Sequence, residues 1–368
     1  MAARLSARRK QFAFRNSNRK LNHIKKEVSQ MTEKKEKSHL SLPVFAVAPM
    51  IDWTDTHCRR FHRLLSGHAL LYTEMVVADA IIHGKRNKLL DFHESEHPLA
   101  LQLGGSDPVK LVEAVRIASD WGYDEINLNV GCPSDRVQAG TFGACLMREP
   151  QTVEACVTAM KKVSPVPVTV KCRIGVDEQE PEAVLPDFID RMVGAGVDGI
   201  WIHARKAWLQ GLSPKENREI PPLDYPLVHR MKARHPKVFM GINGGITTLE
   251  EARAHLAVMD GVMLGRAAYH NATLLTGVDH AIYGDPAEAV DWSTICQAMM
   301  EHAARHIADG GRLVHLTRHM VGLFQGFAGA RRFRQILSAD ATRPGAGPEI
   351  ITAAFAEVDV AAGPVRAA

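Results

Sequence analysis

Apolar and polar positions change their spacing repeatedly along this chain from residue 43 onward. Short stretches in which apolar residues dominate or alternate with polar ones are each followed by a longer segment whose apolar residues recur every three to four positions. The first spacing is typical of β-strands and the second of amphipathic helices. The pattern predicts eight strands, at Val44–Ala48, Ala69–Tyr72, Leu99–Leu103, 125–130, Val168–Cys172, Gly199–His203, Val238–Ile242 and Gly261–Leu264.

A helix is predicted after each strand. Two of these helices begin at capping signals: Thr54 or Asp55 precedes the first, and Asp107 followed by Pro108 opens the third. The predicted helices cover residues 54–66, 76–83, the segment from 106 onward, 151–163, 181–194, 224–235, 247–256 and 266–282.

Eight β–α units over roughly 240 residues fit a (β/α)8 TIM barrel in length and order. A doubly wound parallel sheet is the alternative. We favour the barrel because polar residues follow most of the strands, as expected of loops at the catalytic face of a barrel. The alternation ends near Gly284, and residues 291–309, 312–325 and 347–358 have helical patterns. The expected fold class is therefore α/β, a TIM barrel with a small C-terminal α-helical domain.

This pattern divides the chain into four parts. We expect a disordered basic extension at residues 1–40, the barrel at 41–284, a helical domain at 285–345, and a partly helical C-terminal tail at 346–368. The extension is either an RNA-binding arm, an organellar transit peptide, or an over-extended start. We favour an over-extended start with initiation at Met31, which opens a short polar leader before the first strand.

Charge is distributed unevenly between these parts. Residues 1–37 contain 12 Lys and Arg against 3 Asp and Glu, a surplus of nine positive charges, whereas the whole chain has a net charge of +4. The rest of the chain is therefore mildly acidic, and any binding of nucleic acid there needs local basic patches. No apolar run reaches the roughly 18 residues of a membrane span. The six cysteines have no disulfide-type or metal-type spacing, which suggests free thiols in a reducing cytoplasm and no metal site.

The fourth strand leads directly to a cysteine. Asn127 and Asn129 alternate with apolar residues, and Gly131 ends the strand just before Cys132. Ligands bind at this end of the strands in a parallel α/β protein. Two amides and a thiol can bind a flat polar ring and supply a proton to it. The simpler alternative is a β-turn with an incidental buried cysteine.

Two glycine-containing loops follow the seventh and eighth strands. They are Asn243-Gly244-Gly245 and Gly265-Arg266. Loops at these two positions of a TIM barrel often bind phosphate, because glycines let backbone N–H groups approach the anion. Arg266 adds a cation that can bind phosphate through two hydrogen bonds. The alternative is a pair of tight turns with a surface arginine.

Three further polar side chains lie at or near strand ends. Gln102, Lys171 and His203 belong to the third, fifth and sixth strands. An amide, a cation and an imidazole at one barrel mouth match the polar edge of a flavin ring, whose reduced form gains negative charge that a lysine stabilises. Taken singly, Lys171 could equally form a structural ion pair, and His203 could be a core histidine.

Two basic patches provide candidate contacts for a phosphate backbone. The first is the long loop after the sixth strand, which contains Lys215 and Arg218. Ion pairs of this loop with Glu216 and Glu219 are the alternative. The second patch lies in the helical domain, where Arg331 and Arg334 share one helix face.

Motifs along the whole barrel resemble the tRNA-dihydrouridine synthase family, and most closely its A-type bacterial branch. The resemblance extends over residues 43–340, including part of the helical domain. The matching stretches are APMIDWTD (48–55), LLYTEM (70–75), ALQLGG (100–105), EINLNVGCPSDRVQ (125–138), FGACLM (142–147), VTVKCRIG (168–175), IHARKAW (202–208), GLSPKENREIPPLDY (211–225), INGGI (242–246) and GVMLGR (261–266).

The resemblance implies an enzyme that uses FMN, reduced by NADPH or NADH, to convert uridine to 5,6-dihydrouridine at positions 20 and 20a of the tRNA D-loop. Hydride would reach C6 of the base, and Cys132 would be the general acid that protonates C5. Asn129, Lys215, Arg218, Arg331 and Arg334 would contact tRNA. The residues implied to hold FMN are Pro49, Met50, Gln102, Lys171, His203, Asn243, Gly244, Gly245, Gly265 and Arg266.

Two other functions compete with this interpretation. One is a flavin reductase of a free small-molecule enone or pyrimidine, which would need neither basic patch. The other is an RNA-binding scaffold whose barrel has lost catalysis, although the retained Cys132 and the complete set of flavin residues argue against it. We expect a cytoplasmic monomer that binds tRNA, no membrane and no metal.

Overall fold

Eight parallel strands close into a barrel in which each strand pairs with its neighbours in the sequence and β8 pairs with β1. The computed structural model describes residues 40, 43–134 and 142–363. The expected TIM barrel is thus confirmed, whereas the expectations for residues 1–39, including Met31, lie outside the described residues. The strands are β1 Val44–Val47, β2 Leu70–Val77, β3 Leu99–Gly104, β4 Glu125–Val130, β5 Val168–Arg173, β6 Gly199–His203, β7 Phe239–Asn243 and β8 Gly261–Leu264.

Helices surround the barrel and continue beyond it. No described helix has both the length and the apolar character that a membrane span requires. The helices of the described residues are α1 Thr56–Leu65, α2 Ala78–His83, α3 Arg86–Leu90, α4 Pro108–Ser119, α5 Pro150–Lys161, α6 Pro181–Gly194, α7 Tyr225–Arg234, α8 Leu249–Leu256, α9 Arg266–His270, α10 Val278–Tyr283, α11 Trp292–Ala308, α12 Val314–Met320, α13 Ala330–Ala339 and α14 Glu349–Phe355.

Side-chain caps explain where several of these helices begin. The carboxylate of Asp55 accepts the Cys58 N–H at the start of α1, and Asp107 accepts two N–H groups before Pro108 at the start of α4. At α8, the Thr248 side chain and the Glu251 side chain cap each other's backbone N–H. Such caps satisfy N–H groups that have no partner inside the helix. Both predicted caps, at residue 55 and residue 107, are confirmed.

Two glycines make room for aromatic rings in the barrel interior. A Cβ atom at Gly241 would lie 2.1 Å from the indole of Trp201, and one at Gly261 would lie 2.7 Å from Trp201 and from Phe239. The two rings are 5.3 Å apart in an edge-to-face arrangement. This aromatic plug fills the part of the barrel interior next to β6, β7 and β8.

Three predicted boundaries are wrong. Strand β2 continues to Val77, because a register shift against β3 between Tyr72 and Met75 lets it pass the polar Thr73 and Glu74. The predicted helix 266–282 is divided into α9, a 3-10 turn Ala272–Gly277 and α10, because Asn271 leaves the helical conformation. Similarly, α12 ends at Met320 instead of residue 325, since Phe324 has a φ of 60° and Gly326 one of 87°.

The C-terminal helices pack on the barrel side that carries α1 and α9. Asp55 binds Arg318 at 2.5 Å and His319 at 3.1 Å, and the other ring nitrogen of His319 lies 3.0 Å from the Tyr269 hydroxyl. Helix α14, at the start of the predicted tail, packs against α11 and α13. The described residues from 43 onward thus belong to one compact unit.

Four histidines meet where α1 contacts α11 and α12. His57 lies 2.9 Å from His302, and His306 lies 3.0 Å from His315. The His57 ring also packs edge-on against His306, with ring centres 4.4 Å apart. Burial lowers the pKa of His57 to about 4 against the opposing effect of Asp55, and burial together with Arg60 and Arg305 lowers that of His302 to about 3. Both imidazoles are therefore neutral near pH 7.

These pKa values predict acid-sensitive stability. Between about pH 6.5 and pH 4 the unfolded chain binds protons at residues 57 and 302 that the folded protein does not accept, so the free energy of unfolding falls as pH falls through this window. His302→Gln removes one such group. The drop in melting temperature between neutral pH and about pH 5 should shrink by about 2 °C in this variant.

The control for this measurement is His83→Gln, at an exposed position near the end of α2. It should leave the pH dependence of the melting temperature unchanged. Equal acid sensitivity in wild type and His302→Gln would contradict the role of the buried histidine pair.

Candidate active site

Three amide side chains form a continuous row at the carboxyl ends of β3 and β4. Gln102 Nε2 donates to Asn127 Oδ1 at 2.9 Å, and Asn129 Nδ2 donates to Gln102 Oε1 at 2.8 Å. All three are buried. Alternation along β4 turns these asparagines toward the barrel interior and the apolar residues between them toward the helices. Gln102 and Asn129 are therefore joined directly at neighbouring strands.

Cys132 lies on a turn that Asn129 holds. Asn129 Oδ1 accepts the backbone N–H of Gly131 and that of Cys132, both at 3.0 Å. The Cys132 carbonyl accepts the Ala144 N–H at 2.9 Å. The thiol is free and half-buried, and its Sγ lies 3.6 Å from Ser134 Oγ. The turn thus fixes the backbone of Cys132, and the residue stays partly exposed.

Lys171 and Asn243 form a second polar pair across the mouth. Lys171 Nζ donates to Asn243 Oδ1 at 3.0 Å, and Asn243 Nδ2 donates to the Met263 carbonyl at 2.7 Å. Burial, together with Arg173, lowers the pKa of Lys171 to about 8. Among the described residues no carboxylate forms a salt bridge with this ammonium. The alternative of a structural ion pair for Lys171 is therefore not what the structure shows.

His203 has a buried ring nitrogen without a hydrogen-bond partner. Its Nε2 is the atom concerned, within the part of the chain that the structure describes. Burial lowers the pKa of His203 well below its usual value, and Arg173 and Lys171 add to the shift. The ring is therefore neutral. An unpaired buried polar atom is costly, which is evidence that this nitrogen faces a ligand site.

The glycine loops after β7 and β8 leave no space for side chains. Gly244 has a φ of 109°, and a Cβ atom there would lie 2.6 Å from the His203 ring. A Cβ atom at Gly245, where φ is 74°, would lie 2.5 Å from Leu223 and 2.7 Å from the Tyr225 hydroxyl. Only glycine fits both conditions at these positions. The backbone here can therefore approach a ligand closely.

The loop after β1 faces the loop after β8. A Cβ atom at Gly265 would lie 3.5 Å from Met50 Sδ, and Pro49 is half-buried just before it. Arg266 forms an ion pair with Glu219 and donates to the Arg218 carbonyl at 3.3 Å. Glu219 thus pairs across the mouth with Arg266, whereas Glu216 accepts the Ser213 N–H within its own loop.

Arg218 follows Asn217, whose carbonyl and that of Gly131 both accept from Arg173. Arg218 is half-buried, its Nε has no partner among the described residues, and its pKa is lowered by burial and by Arg266, whereas a thiolate at Cys132 would raise it. Lys215, three residues earlier, is exposed. Arg331 and Arg334 are exposed on α13, and none of the contacts described for them reaches the barrel mouth. The structure therefore brings Arg218 to the site and leaves the other three on the surface.

Sequence reasoning missed two buried residues that organise the mouth. Arg173 donates to three backbone carbonyls, those of Gly131, Lys206 and Asn217, at 2.9–3.0 Å. The Asn217 side chain bonds the backbone at Trp208, Leu212 and Ser213. A signal for Arg173 was present, since it lies two residues after Lys171 and so has the same inward orientation along β5.

Comparisons with known proteins agree with this geometry. A family model described as dihydrouridine synthase matches residues 46–358. A protein of Shewanella oneidensis named tRNA-dihydrouridine(20/20a) synthase is 55% identical over 314 residues, which cover 85% of this chain and 93% of that protein. A protein of the same name from Xanthomonas campestris pv. campestris is 55% identical to this chain over 314 residues, which cover 85% of this chain and 93% of that protein. Another, from Escherichia coli K12, is 56% identical over 308 residues, which cover 83% of this chain and 89% of that protein.

The lack of space for a Cβ atom at Gly244 leads to a prediction about ligand binding at the barrel mouth. Gly244→Ala would push the added methyl group into the His203 ring, so the flavin that the family resemblance implies should bind about tenfold more weakly. Left-handed strain should also lower the free energy of unfolding by about 1 kcal/mol. Flavin retained after purification and thermal unfolding measure the two effects.

Gly196→Ala is the matched control, because Gly196 has a similar positive φ of 78° but open space around a Cβ atom. It should lose stability and keep the flavin. Equal flavin retention in the two variants would show that strain alone, and not the contact with His203, matters at residue 244.

Proposed function

This chain belongs to the dihydrouridine synthase family, and we propose that it reduces uridine to 5,6-dihydrouridine at positions 20 and 20a of the tRNA D-loop, with FMN as cofactor and NADPH or NADH as reductant. The observation that supports this function most is the meeting of Cys132, Asn129, Lys171 and His203 at one barrel mouth. Mapping dihydrouridine by mass spectrometry, in tRNA from a deletion strain with and without this gene, tests it directly.

The residues at the mouth fit a phosphate-bearing flavin. The unpaired Nε2 of His203 needs a partner, and the glycine pair at 244 and 245 exposes backbone that a side chain would cover. When bound, FMN supplies the hydride for the reduction. The residues that would hold it are Pro49, Met50, Gln102, Lys171, His203, Asn243, Gly244, Gly245, Gly265 and Arg266.

The cations near the site suit two kinds of negative charge. Lys171, with a pKa of about 8, is mostly protonated at neutral pH and is aligned by Asn243, so it offers a fixed positive charge inside the mouth. Arg266 is oriented by Glu219 and by the Arg218 carbonyl. A phosphate group and the electron-rich edge of a reduced ring both gain from such preorganised charge.

Cys132 is the proposed general acid. Its backbone is held by Asn129 and Ala144, and the residue is only partly buried. Reduction of the C5–C6 bond accumulates negative charge on the base, so a proton donated from Sγ to C5 lowers the barrier. Asn129 uses one N–H on Gln102 and keeps a second N–H for the uridine.

The target base must leave its stack to reach this mouth. A cationic surface next to the opening favours the tRNA backbone, and Arg218 supplies such a charge at the site itself. We propose Lys215, Arg331 and Arg334 as further tRNA contacts, those on α13 belonging to a helical tRNA-binding domain at residues 285–345 beside the barrel of residues 41–284. We further propose a cytoplasmic monomer that needs no metal.

Cys132→Ala should bind FMN and tRNA normally and should still have its flavin reduced by NADPH. Dihydrouridine formation should fall by about 100-fold to 10,000-fold, because only the proton donor is lost. Flavin absorbance, tRNA binding and product analysis separate these steps.

Cys145→Ala is a suitable control, since Cys145 is also half-buried but directs its thiol to the Phe142 carbonyl. Its turnover should match wild type. Full turnover in Cys132→Ala would remove the acid role from Cys132.

Lys215→Gln and Arg334→Gln should each reduce by about 1 the slope of log tRNA affinity against log salt concentration, because one phosphate contact is lost. Flavin reduction by NADPH should not change. Arg116→Gln, at the exposed last turn of α4 and thus away from the mouth, should keep the wild-type slope. Unchanged slopes in all three variants would favour the rival reduction of a free small molecule.

A further inference from the structure

A single file of hydrogen bonds connects the Cys132 turn with a carboxylate deep in the barrel. It begins at the Cys132 N–H and passes through Asn129, Gln102 and Asn127, as described above. Asn127 Nδ2 then donates to Thr169 Oγ1 at 2.8 Å, and the Thr169 hydroxyl donates to Glu125. Glu125 has no exposed surface. The file therefore joins the reacting end of the barrel to a buried acidic group.

In each hydrogen bond of this file, the donor and the acceptor can be assigned. Tyr72 also donates to Glu125, at 2.5 Å, and burial together with Glu125 raises the pKa of Tyr72 well above its usual value, so the phenol keeps its proton. The same carboxylate oxygen accepts from Tyr72 and from Thr169. A hydroxyl has one proton, so Thr169 must accept from the Asn127 amide nitrogen.

The orientation of Asn127 then determines that of the other amides up to the barrel mouth. Asn127 presents its oxygen to Gln102 because its nitrogen faces Thr169, and Gln102 in turn presents its oxygen to Asn129. Asn129 is left with its oxygen toward the cysteine turn, where it accepts two N–H groups. A reversed Asn129 would place an NH2 group against those two donors and would release the turn.

We propose that Glu125 is a positioning residue: its carboxylate sets the polarity of the amide row and thereby holds the Cys132 turn and the free N–H of Asn129 in place for the uridine. The proposal deepens the proposed function and rests on it for its role in turnover. Glu125 itself acts at a distance, through Thr169 and the amides, and does not touch the substrate.

Thr169→Val cuts the file while keeping a β-branched side chain in β5. We expect kcat for dihydrouridine formation, measured on enzyme saturated with FMN, to fall about tenfold, the effect of one hydrogen bond, with an unchanged KM for tRNA. Thr169→Ser restores the hydroxyl and should recover most of the turnover. Tyr72→Phe, which leaves the direction of the file intact, should stay within about threefold of wild type.

Glu125→Gln should also lower kcat, because an amide at this position can accept or donate and no longer imposes one direction. The double variant with Thr169→Val should be no slower than Thr169→Val alone, since both changes act through the same file. Any of three results would overturn the proposal. The double variant could lose kcat by the product of the two single losses, Glu125→Gln could be fully active, or Thr169→Ser could be as slow as Thr169→Val.

Alkylation of Cys132 gives a readout that does not depend on tRNA. Peptide mapping after iodoacetamide treatment should show faster alkylation of Cys132 in Thr169→Val than in wild type, with Cys145 as the internal reference. Equal alkylation rates at Cys132 would overturn the proposal even if the wild-type enzyme forms dihydrouridine. If the wild-type enzyme forms none, the proposed function fails, whereas a faster alkylation in the variant would still support the file.

Discussion

The side chains inside the barrel are buried, and this constraint determines which residues its strands can carry. Apolar rings fill the amino end, where Trp201 occupies the space left by Gly241 and Gly261. Polar side chains that point into the barrel must find their partners inside it, because an unpaired buried group costs more than a hydrogen bond returns. The amide row and its carboxylate satisfy this demand for β3, β4 and β5. His203 does not satisfy it, which is why its Nε2 is so informative.

Positive charge at the mouth is held mainly by backbone carbonyls and by desolvation, and much less by carboxylates. Arg173 is surrounded by three carbonyl groups, and burial lowers its pKa to about 10. Glu219 pairs with Arg266, but Lys171 and Arg173 form no salt bridge among the described residues, so most of the positive charge at the mouth is not neutralised. Because the chain outside residues 1–37 is mildly acidic, this concentration of cations is local. It suits an enzyme whose cofactor and substrate both carry phosphate.

Much of the fold follows from the sequence because buried parallel strands are short apolar runs bounded by glycine and polar residues. All eight strands were predicted, and the site residues at their ends were predicted to share one mouth. A helix interruption such as the one at Asn271 depends on tertiary contacts, and the spacing of apolar residues in the sequence does not reveal it. Arg173 and Glu125 were missed for a related reason: a charged residue within a strand acquires its meaning only when the register shows which carbonyls or amides it faces.

The loops that would hold the cofactor also hold the helical segment. Trp53, three residues after Met50, stacks on Tyr269, three residues after Arg266, with ring centres 4.4 Å apart. Tyr269 and Asp55 then bind His319 from opposite sides. The side chains of these loops therefore cannot change position without disturbing the contact with α12. Since α12 packs against α13, the surface carrying Arg331 and Arg334 is linked through packed side chains to the mouth where the base would react.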